Sequence, residues 1–124
     1  MKKTLKITEQ LTNTDIYICF GNKSYLKLGK KLNVKDLPTL NCNGLCNELT
    51  YTEDSSLNCY LIGINDNSKN IYEIKSTIVH ELNHVVTYII KRYGFKGDEF
   101  RSYLLAFLYE KSMEWIDKII DNKK

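Results

Sequence analysis

The fold is decided by one stretch in the second half of the chain, Val79-His80-Glu81-Leu82-Asn83-His84-Val85-Val86. It lies within a longer segment, from about Ile71 to Tyr93, in which apolar residues recur every three or four positions. This period is typical of a helix with one buried side, and the Gly94 that follows is a common helix end. At about 100° per residue, the polar third of this helix consists of Thr77, His80, Glu81, His84, Thr87, Tyr88 and Lys91. We therefore predict an amphipathic helix whose polar side contains both histidines of the protein.

Residues 80–84 have the pattern His-Glu-x-x-His. Residues four apart in a helix lie one turn apart on the same side, so His80 and His84 can bind one metal ion. Glu81, next to the first histidine, can reach a water molecule bound to that ion. The pattern indicates a zinc site, and the alternative is a surface helix that carries two histidines by chance.

A catalytic zinc ion usually has three protein ligands, and the chain has no third histidine. The remaining donors are carboxylates or cysteines. A second amphipathic helix is predicted from about Asp98 to Asp121, with Glu99 in its first turn. If the two helices are antiparallel, that turn returns beside the first helix, and we predict Glu99 as the third zinc ligand. Asp98 and Glu110 are the substitutes, and the alternative for Glu99 is a carboxylate that faces water at a helix N-terminus.

Two segments resemble the gluzincin metallopeptidases, namely His80-Glu81-Leu82-Asn83-His84 and Asp98-Glu99-Phe100-Arg101-Ser102-Tyr103. In that family a downstream helix carries the motif Asn-Glu-x-x-Ser-Asp, whose glutamate is the third zinc ligand. Here Glu99 and Ser102 match this motif, while Asp98 and Tyr103 replace its first and last positions. The sequence is also similar to small bacteriophage and prophage proteins that pair His-Glu-x-x-His with Glu-x-x-x-Tyr. The resemblance covers roughly residues 76–109.

The resemblance implies a zinc-dependent peptidase encoded by a phage or prophage. Zinc would polarise the scissile carbonyl and lower the pKa of its bound water. Glu81 would act as the general base that takes the proton of this water and passes it to the leaving amine. Tyr103, or Tyr88 on the first helix, would stabilise the oxyanion. Tyr103 could also hydrogen-bond a zinc-bound histidine, and the alternative for both tyrosines is packing with a hydrated hydroxyl.

Three segments in the first half have the composition or alternation typical of strands: Asp15–Phe20, Glu48–Thr52 and Leu57–Ile64. The last two would pair as an antiparallel hairpin around a loop at residues 53–56. Ser24–Lys31 fits a short helix or another strand, and residues 41–47 are rich in turn residues.

We therefore predict an α+β fold in which residues 1–124 form a single zincin-like domain, with a small antiparallel sheet packed on two long C-terminal helices. Peptidases of this architecture usually hold the substrate as an added strand on a sheet edge near the metal. Cys59–Ile64, the strand before the motif helix, is the candidate for that edge. Its alternative is an ordinary interior strand.

The composition, with 43% hydrophobic and 27% charged residues among 124, is typical of one globular domain. The net charge of +3 is too diffuse to indicate a nucleic-acid partner. No run approaches the roughly 20 apolar residues that span a membrane, and no apolar segment follows the first lysines, so a cytoplasmic location is expected (the host cytoplasm for a phage protein). We expect free thiols, with a four-cysteine structural zinc site as the alternative, at Cys19, Cys42, Cys46 and Cys59.

A chain of this size is expected to need a protein partner or a homodimer to complete the groove for a peptide or protein substrate. The rival interpretation is a non-catalytic, zinc-stabilised interaction protein, such as a virion component or a host-factor binder. In that case the nine tyrosines and the apolar second helix would form an interface. Glu81 favours catalysis, because a purely structural zinc site does not need this carboxylate.

Overall fold

The computed structural model describes residues 3–34, 36–50, 58–68 and 70–122. In chain order, the elements within these ranges are β1 (Thr4–Glu9), β2 (Thr14–Phe20), α1 (Asn22–Lys31), β3 (Gly44–Thr50), β4 (Asn58–Ile64), α2 (Ile71–Tyr93) and α3 (Asp98–Asn122). The fold is α+β, with two long C-terminal helices, as predicted.

The four strands form one mixed sheet in the order β1-β2-β4-β3. The two outer pairs, β1 with β2 and β3 with β4, are antiparallel, whereas β2 and β4 are parallel and align Ile16 with Tyr60. The expectation of an antiparallel sheet is therefore wrong for the two central strands. Parallel neighbours need a long crossover connection, and here α1 and β3 lie within it. The sequence left α1 open between helix and strand, so this crossover was not recognised.

The strand at the edge of the sheet beyond β4 is β3. The antiparallel pairing of β3 with β4 confirms the predicted hairpin. The end of its first predicted strand (residues 51 and 52), the loop at residues 53–56 and Leu57 at the start of its second strand lie outside the described residues. β3 begins at Gly44, inside the segment for which turn residues were expected. Because β4 lies between β2 and β3, Cys59–Ile64 is an interior strand, and its assignment as the substrate-binding edge is wrong.

Alternating residues of the central strands face two apolar clusters, one on each side of the sheet. The larger cluster lies under α2 and α3 and includes Ile16, Ile62, Ile78, Leu82, Leu104 and Ile116. The smaller lies under α1 and consists of Cys19, Tyr25, Leu28, Leu40 and Leu61. The sheet is thus covered on both faces, and α2 can turn only one side to solvent.

Local signals fix both ends of α2. The side-chain oxygen of Asn70 accepts hydrogen bonds from the backbone nitrogens of Tyr72 (2.9 Å) and Glu73 (3.4 Å), which is a typical N-cap. Gly94 ends the helix in the left-handed conformation at φ 68°. The apolar stripe of the helix, which is buried, consists of Ile74, Ile78, Leu82, Val85, Val86 and Ile89.

The two long helices run antiparallel. Lys75 pairs with Asp117 at 2.8 Å, and near the other end the Nη1 of Arg101 donates to the Oδ1 of Asn83 at 3.4 Å. The first turn of α3 therefore approaches α2 at Asn83. Within the described part of the chain, no helix combines the length and the apolar character needed to cross a membrane.

Candidate metal centre

His80 and His84 lie one turn apart on the exposed side of α2, as predicted. Their Nε2 atoms are 3.3 Å apart, and the ring planes meet at 81°. Two nitrogens that bind one zinc ion tetrahedrally, each at about 2.0–2.1 Å, are separated by about 3.3–3.4 Å. The two nitrogens are therefore at the spacing of ligands that share an ion. Without metal, one ring can instead donate a hydrogen bond to the other.

Glu81 is buried, although the sequence assigns it to the polar third of the helix. Its side chain is 7% exposed, and its Oε1 lies 4.0 Å from the Nε2 of His80. The carboxylate accepts no hydrogen bond from a described residue, and the ring of His84 also lies within 4.8 Å of it. Burial raises the pKa of Glu81, an effect that the two neighbouring histidines oppose. A buried carboxylate with so little compensation costs stability, as is common at functional sites.

The ligand atoms of His80, Glu81 and His84 all lie within 4.8 Å of one another, the one such group of three among the described residues. We call these three residues the metal-site cluster. Two of them, His80 and Glu81, border a cleft of about 400 Å³ between the start of β3 and α2. The other residues of its lining are Cys42, Asn43, Gly44, Ser76 and Thr77. The donor set of two imidazoles and a nearby carboxylate fits a zinc ion.

The predicted third ligand is not part of this group. Glu99 and its substitute Asp98 are exposed in the first turn of α3, and Glu110 is exposed three turns later. The contact between that first turn and α2 is made by Arg101 and Asn83, neither of which belongs to the metal-site cluster. The structure thus brings the two histidines and Glu81 together but not these three carboxylates. Glu99 as a zinc ligand stays a prediction.

The two tyrosines named for the oxyanion have different surroundings. Tyr88 lies one turn after His84, with ring centroids 6.5 Å apart, and stacks in parallel on Tyr60 at 6.0 Å. Tyr103 stacks instead on Phe107 at 6.2 Å and tilts against Phe100 at 6.1 Å. Of the two, Tyr88 is the one whose ring neighbours a histidine of the metal-site cluster. The role of Tyr103 stays a prediction.

All four cysteines are free thiols. Burial raises the pKa of Cys19 and of Cys59 to about 11, and burial together with the charge of Glu81 raises that of Cys46 to about 12. These three therefore behave as small hydrophobic residues. Cys42 is exposed at the cleft. The four do not come together as a zinc site among the described residues.

The residues that sequence reasoning missed are on β3 and on the turn of α2 before the motif. Gly44 and Thr77 line the cleft next to Glu81. The position of Gly44 in a strand could not be predicted, because an Asn-Gly pair in a polar segment indicates a turn. Thr77 was assigned to the polar side of the helix, but nothing in its type marks it as a neighbour of a strand.

Comparisons of the chain with protein-family models, with curated proteins and with solved structures gave no significant match. The resemblance to gluzincins therefore rests on residues 80–84 and 98–103 alone. What the site can do follows from the geometry of the metal-site cluster and from the cleft beside it.

Proposed function

We propose that the chain is a zinc-dependent peptidase of zincin-like architecture, in which His80 and His84 hold the metal and Glu81 is the general base. The observation that carries this proposal is the burial of Glu81, whose carboxylate lies 4.0 Å from the Nε2 of His80 and accepts no hydrogen bond from a described residue. Leaving such a group unsatisfied costs about 1–3 kcal/mol. A purely structural zinc site would gain nothing from that cost, whereas a general base needs a free lone pair.

The chemistry divides between the ion and the chain. A zinc ion supplies a Lewis acid that polarises the substrate carbonyl and lowers the pKa of a bound water molecule. Glu81 accepts a proton from water, and the rise in its pKa on burial makes it a stronger base than an exposed glutamate. Glu81 then returns the proton to the leaving amine. Tyr88, beside His84, is the nearer donor for the oxyanion, with Tyr103 as the alternative.

Glu99 is the third ligand in this proposal. Because its carboxylate is outside the metal-site cluster, the first turn of α3 must shift toward α2 when the metal binds. The free energy of metal binding is large enough to drive such local rearrangements.

The substrate is a peptide or protein segment that binds in the cleft between β3 and α2. β3 ends the sheet next to Glu81, so a peptide that pairs with this edge as an added strand has its backbone beside the general base. The side chain of His80 is 69% exposed, so the cluster is open to solvent on the side away from the sheet. A partner protein or a second copy of the chain would close that side.

One observation favours the rival function, a non-catalytic interaction protein. Five aromatic rings form a row, namely those of Tyr93, Phe95, Phe100, Tyr103 and Phe107. The centroids of successive rings are 4.1–6.2 Å apart. Tyr93, Phe95 and Tyr103 are 39–45% exposed. Exposed aromatic groups of this kind are enriched at protein interfaces. Cleavage that depends on Glu81 separates the two functions.

Removal of the metal tests the proposal. We expect a zinc chelator such as 1,10-phenanthroline to abolish cleavage of a peptide library, read by mass spectrometry, and stoichiometric zinc to restore it. The non-chelating 1,7 isomer is the matched control and should leave cleavage unchanged. Zinc-loaded wild type that cleaves neither the library nor proteins of a cell lysate would instead support the interaction protein.

A further inference from the structure

Gly44 lies where β3 comes closest to the metal-site cluster. A Cβ atom built on this glycine would be 2.6 Å from the Cγ2 of Thr77, 3.1 Å from the Cγ of Glu81 and 3.4 Å from the Oε1 of Glu81. Real Cβ atoms essentially never approach a heavy atom more closely than 3.0 Å. No larger residue therefore fits at position 44 unless Thr77, Glu81 or the strand itself moves.

The backbone of Gly44 does not require glycine. The described glycines with positive φ are Gly21, Gly94 and Gly97, so Gly44 has a conformation that other residues adopt freely. Glycine within a strand weakens it, and its occurrence often marks the close approach of another part of the chain. The absence of a side chain at Gly44 therefore leaves room for the side chains of Thr77 and Glu81.

The neighbours of that space differ in how freely they can move. The hydroxyl of Thr77 donates to the carbonyl oxygen of Glu73 at 2.9 Å, which fixes χ1 and thereby points the Cγ2 methyl at β3. The carboxylate of Glu81 accepts no hydrogen bond from a described residue, and its nearest charged neighbour is the His80 imidazole at 4.0 Å. Added volume at residue 44 will thus displace Glu81 more easily than Thr77.

We propose that Gly44 is a positioning residue for Glu81. Its missing side chain lets β3 pack directly on Glu81 and holds the carboxylate at the end of the cleft, 4.0 Å from His80. This inference rests on the proposed function, because the position of Glu81 affects turnover only if Glu81 transfers a proton. The histidine rings are not among the three nearest atoms to the Cβ position of residue 44, so we expect a substitution there to leave metal binding unchanged.

The test is Gly44→Ala in the full chain. We expect kcat to fall by roughly three- to tenfold, since the 3.1 Å contact moves Glu81 by a few tenths of an ångström and a full 1 Å at a catalytic group costs about a hundredfold, while KM and zinc content stay unchanged. Gly44→Ala/Thr77→Ser removes the methyl at 2.6 Å but keeps the contact with Glu81 at 3.1 Å. The double variant should regain thermal stability and remain slow. Full recovery of kcat would show that the strain acts through Thr77 and would overturn the proposal.

Gly63→Ala is the matched control. Gly63 pairs with Leu45 in the neighbouring strand, and a Cβ there would meet the ring of Tyr25 at 2.6 Å, in the cluster under α1. This variant should lose stability but keep the kcat of its folded fraction, whereas an equal fall in kcat would overturn a specific role for Gly44.

A crystal structure of the Gly44→Ala variant separates this inference from the proposed function. A carboxylate of Glu81 that has moved away from His80 supports the positioning role even if wild type cleaves nothing, in which case only the peptidase proposal fails. An unmoved carboxylate overturns the positioning role whatever the activity.

Discussion

The Glu81→Gln variant is expected to lose peptide cleavage by about 10²–10⁴-fold in kcat/KM while it keeps its zinc. Glutamine has the shape of glutamate and fits the same buried space, but its amide cannot accept a proton from water. The two imidazoles that hold the metal are unchanged. Initial rates on a fluorogenic peptide and elemental analysis of the purified variant measure the two properties. Glu114→Gln, an exposed glutamate of α3, is the control and should have wild-type activity.

The same variant is expected to stabilise the metal-free protein at neutral pH. Burial raises the pKa of Glu81 above its ordinary value of 4.5, so the folded state favours the protonated carboxyl. The stability from this group is full below pH 4.5 and is lost as the pH rises through the folded-state pKa. Glutamine has no charge to bury, so the variant should not lose stability over this pH range. Urea unfolding with a chelator at pH 4 and pH 7.5 measures this difference, and an equal pH dependence in both proteins would contradict the burial of a charged Glu81.

Replacing His84 with alanine is expected to abolish zinc binding and the stability that comes with it. Zinc at about 1,000 times its dissociation constant stabilises a folded protein by about 4 kcal/mol, equivalent to roughly 10–20 °C in Tm for a domain of this size. His84→Ala should show almost none of this shift, because a single remaining imidazole is a weak ligand.

Thermal melts with and without zinc, together with zinc content, measure this loss. Lys91→Ala is the matched control, since Lys91 is exposed on the same helix and lies outside the metal-site cluster. It should melt like wild type in zinc. If His84→Ala retains one zinc per chain, the metal is bound elsewhere and the proposed centre is wrong.

Local features could be predicted from the sequence. The bounds of α2, Ile71–Tyr93, follow from the apolar period together with the capping side chain of Asn70 and the left-handed Gly94, all of which act within a few residues. The pairing of the two histidines is equally local, because four residues in a helix always make one turn. The exposed position of both imidazoles then follows from the stripe that the helix buries.

The long-range features could not be predicted. The parallel pairing of β2 with β4 depends on residues far apart in the chain, and the alternation within a strand does not specify its neighbours. One signal was present in the sequence: Tyr60–Ile64 contains no charged or amide residue, as is typical of a strand covered on both faces, and all five residues are buried in the structure. The burial of Glu81 depends on where β3 crosses α2, and helical periodicity contains no information about that crossing.

The predicted third ligand is the part of the site for which the sequence prediction and the structure differ most. Glu99 is close to the motif in sequence, but its position relative to the histidines depends on how α3 is rotated against α2. Arg101 hydrogen-bonds Asn83 at 3.4 Å, and in the structure the buried side of α3, which includes Leu104 and Leu108, sets that rotation. A metal ion that needs another ligand can change it, because the loop from Gly94 to Gly97 connects the helices through two glycines with positive φ.

The proposed function depends most on a zinc ion that is bound by both His80 and His84. X-ray diffraction from zinc-loaded crystals on both sides of the zinc absorption edge tests this directly. We expect one anomalous peak at about 2.0–2.1 Å from both Nε2 atoms, with the carboxylate of Glu99 turned toward it and that of Glu81 nearby but not bound. Zinc located only at Cys42 or another thiol, or no peak between the two imidazoles, would contradict the account.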